Sequence, residues 1–85
     1  MQELLNFVVK RIANHPDAID IHTKEDPDNG TTIFQISSHS EDIALIIGKK
    51  GKVIKSIRNL LNVIALPKGI HVQLNVEEKE SPESD

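Results

Sequence analysis

Residues 46–54 read Ile46-Ile47-Gly48-Lys49-Lys50-Gly51-Lys52-Val53-Ile54, and these residue types suit contact with an anion. Two glycines three positions apart bracket two lysines, with an apolar β-branched pair on either side. Glycine lacks Cβ, so a turn built on Gly48 and Gly51 can adopt conformations other residues avoid and admit a ligand backbone closely. A helix starting just after Gly51 would aim its unpaired N–H groups and positive dipole end at whatever rests on the turn. A phosphodiester is the occupant this chemistry favours. Lys49 and Lys50, exposed by their place in the turn, supply charge, since a surface helix end contributes only about 0.3–1 kcal/mol to an anion. Lys52 in the first turn opposes the dipole without structural gain, a break in local rules that marks functional sites. Lys55 and Arg58 continue the basic series; Arg58 is open to a second role, pairing with an acid of the frame. Ile46, Ile47, Val53 and Ile54 are candidates for an apolar groove floor and equally for the core. A plain turn between two helices is the competing explanation for the glycines, and solubility of the turn for the lysines.

The net charge of −3 argues superficially against a polyanionic partner, but its distribution does not. Residues 1–42 sum to −5 and residues 77–85 to −4, whereas residues 43–76 contain no acid and sum to +6. A ligand responds to the local field, which decays over roughly 8 Å at physiological salt.

Other chemistry is poorly supported. His15, His22, His39 and His71 form no pair at three- or four-residue spacing, and there is no cysteine, which argues against a metal site and excludes a disulfide framework. No nucleophile–base or carboxylate pair is evident; Ser37, Ser38 and Ser40 read as turn and cap residues. The chain reads as no enzyme, with no cofactor. Eighty-five residues suffice for one modest core. Met1 precedes a charged amphipathic stretch rather than a secretory leader, and no apolar run is long enough for a membrane span; a cytoplasmic location is the expectation.

The elements that must hold the turn follow from periodicity. Leu4, Leu5, Val8 and Ile12 recur at helical steps, and His15-Pro16 ends that helix. Ile19, Ile21 and Thr23 alternate with Asp20, His22 and Lys24 as a strand. Asp26-Pro27-Asp28-Asn29-Gly30 is a hairpin turn, and the strand Thr31–Ser37 puts Thr32, Phe34 and Ile36 on one face. Ser38 or Ser40 caps a short helix over Glu41–Ile47 that stops at Gly48. A longer helix, Lys52–Ile64, gathers Val53, Ile54, Ile57, Leu60, Leu61 and Ile64 on one side, with Lys52, Lys55, Ser56, Asn59 and Asn62 opposite; Ile57, Leu60 and Leu61 are assigned to the core. Pro67-Lys68-Gly69 breaks it, and a last strand spans Ile70–Val76. His22 and His71 would be neighbours on the open sheet face if their strands were adjacent. The class is α+β, order α-β-β-α-α-β, a three-stranded sheet with helices on one face. The single domain is placed at 1–76, with an acidic tail at 77–85 expected to be disordered.

With these residues in place, the chain resembles a KH domain: the pattern apolar-Ile-Gly-x-x-Gly-x-x-Ile is met from Ile46 to Ile54, and the element order is similar to the type II, prokaryotic arrangement. Its size, Ser40-Glu41-Asp42-Ile43 and Ile57-Arg58 resemble the small bacterial KhpA family of RNA-binding proteins. Ala44-Leu45 departs from that family, where smaller or more polar residues are frequent, and should alter only the outer surface of the short helix. The resemblance implies recognition of about four nucleotides of single-stranded RNA, with the Gly-x-x-Gly loop on the sugar-phosphate backbone and an aliphatic groove beside it. It also implies homodimers and heterodimers with a larger KH-containing partner, KhpB. Phe7 and Phe34, the only aromatics, read as packing residues, so base stacking on rings is not the expected mode. A protein-interaction adaptor using the same loop and helices is the alternative. A helix-hairpin-helix DNA binder fits less well, because its Gly-x-Gly hairpin is shorter.

Overall fold

The computed structural model describes residues 1–79. Its order is α1 (Gln2–Ile12), β1 (Asp20–Asp26), β2 (Thr31–Ser38), α2 (Ser40–Ile47), α3 (Lys52–Ala65) and β3 (His71–Glu78), as periodicity predicts. Short 3-10 turns occupy Pro16–Ala18, Lys49–Gly51 and Leu66–Lys68. The sheet has the order β1-β2-β3, with β1 antiparallel and β3 parallel to the central β2. A parallel pair needs a crossover, and α2, the lysine turn and α3 together provide it.

Register explains which residues face the helices. Ile21, Ile36 and Val76 lie in one row, Thr23, Phe34 and Leu74 in the next, and Glu25, Thr32 and Val72 in a third. Phe34, Ile36 and Val72 are buried beneath Leu5 and Val9 of α1, Ile46 of α2, and Ile57, Leu61 and Ala65 of α3. Fully burying one such large apolar side chain contributes roughly 1.5–3 kcal/mol. Val9, absent from the apolar spacing read on α1, is among the most buried. Phe7 is not a packing residue: it is 57% exposed, with the Arg11 guanidinium 4.9 Å from its ring centroid. Leu60 is likewise no core residue but 45% exposed, because the neighbouring Leu61 takes the inward position.

His22 and His71 are not neighbours. Central β2 separates their strands; His22 lies across from Gln35, and His71 across from Thr31 at the other end. Strand β3 runs two residues past the expected Val76, through Glu77 and Glu78, and Lys79 donates its amide to the Ser38 carbonyl. Residues 80–85 of the expected tail lie outside the described residues. No helix among the described residues is long and apolar enough to cross a membrane.

The cap of α2 differs from the expected serine. His39 precedes the helix, and its Nδ1 accepts the Glu41 N–H at 3.1 Å. Ser38 is buried, its hydroxyl donating to the His39 carbonyl. Asn62, expected to face solvent, accepts the Val72 N–H through its Oδ1 at 3.0 Å, tying α3 to the start of β3.

Asp42 in the first turn of α2 is fully buried. Burial pushes its carboxyl pKa upward, but the N–H groups of Asn14 and His15, donated to its two oxygens, and the nearby His15 and His39 reverse this and hold it below the ordinary value. A depressed folded-state pKa supplies stability that is complete above the unfolded value of about 3.9 and disappears as pH falls through the folded value. Asp42→Ala should therefore lower the thermal midpoint at neutral pH by leaving two N–H groups without acceptors, and the deficit relative to the parent should shrink below about pH 4. Thermal unfolding across pH, followed by circular dichroism, checks both outcomes.

Candidate nucleic-acid interface

The turn between α2 and α3 is built by three positive φ angles among four residues. Gly48 closes α2 with φ 77° and ψ 171°, Lys50 has φ 56° and ψ 26°, and Gly51 precedes α3 with φ 74° and ψ 16°. The two glycines do different work. A Cβ at Gly48 would collide with the Val53 side chain, 2.7 Å from its Cβ and 2.8 Å from its backbone nitrogen. Gly48 thus lets the end of α2 sit against the start of α3. Around Gly51 a Cβ would meet nothing within 4 Å, so its requirement is conformational and its outer side is open. Lys50, the only non-glycine with positive φ among the described residues, holds a left-handed conformation that costs roughly 1–2 kcal/mol for an L-residue.

The bend is not sealed. Lys49, Lys50 and Lys52 are exposed, and Gly48 and Gly51 are partly so. Three of its amides are already engaged: Gly48 donates to the Ala44 carbonyl at 2.8 Å, Gly51 to that of Gly48 at 3.1 Å, and Lys52 to that of Lys49. The turn thus narrows the amides a ligand can use to those with no partner in the bend, including the first-turn amides of α3 at Val53 and Ile54, which a helix start leaves without intrahelical carbonyls.

Lys55 and Arg58 follow Lys52 along α3, all exposed. Among the described residues none of Lys49, Lys50, Lys52, Lys55 and Arg58 is held in an ion pair; the acid of the frame considered for Arg58 is not beside it. Among the described residues no acid pairs with and neutralises this basic field. Of the apolar candidates, Ile46 is fully buried and belongs to the core, whereas Ile47, Val53 and Ile54 are half-buried beside the turn. Ala44 and Leu45 are exposed on the outer surface of α2.

A family model described as "KhpA/KhpB, KH domain" matches residues 2–76. The chain belongs to the KhpA/KhpB KH-domain family. It is 35% identical over 79 residues to the RNA-binding protein KhpA of Chlamydia muridarum, covering 93% of this chain and 99% of that one. The KhpA of Listeria monocytogenes is 32% identical over 78 residues, covering 92% and 100%. That of Thermotoga maritima is 33% identical over 64 residues, covering 75% and 83%. The Aquifex aeolicus protein Era, in a crystal structure of a point variant bound to GDP·AlF4−, superposes with a TM-score of 0.55 at 23% identity. The match takes in 95% of this chain and 30% of that one, a likeness of fold. The α-β-β-α-α-β order and the mixed sheet are those of the type II KH fold.

The unequal glycines separate in a substitution series. Gly48→Ala should lose roughly 2–4 kcal/mol of stability, combining a strained φ/ψ with overpacking against Val53. Gly51→Ala should lose about 1 kcal/mol, from conformation alone. Lys50→Gly should gain up to about 1 kcal/mol, strain relief less the entropy of glycine. Urea unfolding of the three variants measures the order.

Proposed function

We propose that this chain binds single-stranded RNA, about four nucleotides at a time, with the sugar-phosphate backbone on the Gly48–Gly51 turn. Lys49 and Lys50 provide the charge at the turn, and Lys52, Lys55 and Arg58 extend it along α3. Ile47, Val53 and Ile54 form the aliphatic wall for the bases. The observation that carries this reading is the exposed lysine turn whose Gly51 has open space around it, set in a segment free of acids. The curated relatives of similar length are named RNA-binding proteins, which supports it. Chemistry at the bases is not part of the proposal: the role is that of a post-transcriptional regulator or RNA chaperone in the cytoplasm, not an enzyme. One small domain gives weak binding, on the order of micromolar, about −8 kcal/mol.

Replacing both Lys49 and Lys50 by Asp should abolish binding of a fluorescent single-stranded oligonucleotide while leaving the thermal midpoint nearly unchanged, because both side chains are exposed. With about two to four phosphate contacts, the logarithmic salt slope of the parent near physiological ionic strength should be roughly −1.4 to −2.8. Undiminished affinity in the double variant, or a slope near zero, would remove the proposal. Preference for duplex DNA would favour the hairpin reading instead.

A second reading concerns partners and has its own observation. On α3, Leu60, Val63 and Ile64 are 45%, 69% and 37% exposed, and Leu66 beyond it 65%, an apolar stripe at helical spacing. Self-association through this stripe, or pairing with a larger KhpB-like protein, would cover it and raise avidity for RNA. Val63→Glu should shift the sedimentation coefficient from dimer to monomer and leave folding intact; a parent that sediments as a monomer at high concentration contradicts self-association.

A further inference from the structure

At the end of α2 remote from the lysine turn, side chains from two separate segments converge. Buried Asp42 accepts the amides of Asn14 and His15 at 3.0 and 2.8 Å, which pins the connection between α1 and β1 against α2. His15 is thereby brought to His39, the capping residue, and the two rings stack with centroids 4.1 Å apart and planes 23° from parallel. His15 Nε2 stands 2.9 Å, and His39 Nδ1 3.6 Å, from the same oxygen, Oε1 of Glu41. One donor atom from each of the three lies within 4.8 Å of the others. The imidazoles are 42% exposed and the carboxylate 69%.

We propose that His15, His39 and Glu41 form a surface site for one divalent transition ion of the zinc class, with water completing its coordination. Two imidazole nitrogens and one carboxylate oxygen are a borderline donor set, suited to zinc, nickel or copper(II); magnesium and calcium ask for oxygen ligands. Around a tetrahedral ion with bonds of about 2.0–2.1 Å, donor atoms stand roughly 3.3 Å apart. The two contacts to Glu41 bracket that spacing. The rings must turn out of their stack, and as half-exposed groups they can do so without disturbing the core. Asp42 supports the site from behind by fixing the His15 backbone. Coordination through His39 Nδ1 takes over the lone pair that accepts the Glu41 amide, so the ion competes with the helix cap and binding stays moderate. Occupancy would fasten the segment after α1 to the start of α2. Sequence spacing pointed away from a metal because His15 and His39 are remote in the chain and meet only in the fold.

Isothermal titration of zinc chloride, and separately nickel chloride, into the untagged full-length protein at about pH 7.5 tests the site. One ion should bind per chain, and binding should saturate. His15→Ala and His39→Ala should each weaken binding by about tenfold or more. Because His39 also caps α2, Glu41→Gln supplies a variant that keeps the main-chain cap donor; it should weaken binding and abolish the zinc-induced rise in thermal midpoint. His22→Ala and His71→Ala should bind as the parent does. The proposal is overturned by absence of saturable binding, by full affinity in His15→Ala or Glu41→Gln, or by loss of the ion with His22 or His71.

Discussion

Close contact between the end of α2 and the start of α3 governs how this small domain is put together. It exists because Gly48 carries no side chain where Val53 lies. With that contact made, α2 and α3 can sit side by side over the sheet, Ile46 and Ile57 enter one core, and the chain returns in the direction needed to lay β3 parallel to β2. The lysine turn is what remains outside once the helices have closed. Its exposure is a by-product of packing, and its conformation is imposed by the same closure. Lys50 in a left-handed backbone shows the direction of compromise: a charged residue occupies a place that conformation alone would give to glycine.

Much of the architecture was legible because local signals agreed with one another. Alternation in residues 31–37, helical spacing in residues 52–64 and the Gly-x-x-Gly spacing each concern neighbours along the chain, and each is satisfied. What sequence reading missed depends on contacts between distant segments. Asp42 lies in the first turn of α2, and its partners are the amides of Asn14 and His15, across the fold. Asn62 against β3 and the meeting of His15 with His39 have the same origin, whereas the His39 cap is local, two residues from the amide it accepts. Adjacent leucines on α3 illustrate a subtler limit. Periodicity assigns Leu60 and Leu61 to one broad face, but only one can point inward, and tertiary packing decides which. The apolar candidates beside the turn divide for this reason too, Ile46 inward and Ile47, Val53 and Ile54 at the border.

The two ends of α2 have contrasting chemistry. One end gathers histidines and carboxylates around a buried acid; the other presents lysines that, among the described residues, pair with no acid. At 1.5 Å per residue, the eight residues of α2 set these ends about 12 Å apart, farther than the screening length of roughly 8 Å at physiological salt. An anion placed beside the turn would thus be largely screened from the acids near α1, although both lie on one small body.

That screening belongs to the solution as much as to the protein. In dilute buffer, near 0.01 M, the screening length grows to about 30 Å, comparable with the molecule's longest extent of 41 Å. A polyanion approaching then senses the whole molecule, and the whole is negative. Removing salt, which strengthens most encounters between basic patches and polyanions, would here begin to work against approach. The molecule changes electrical sign with the distance from which it is viewed, and ionic strength sets that distance.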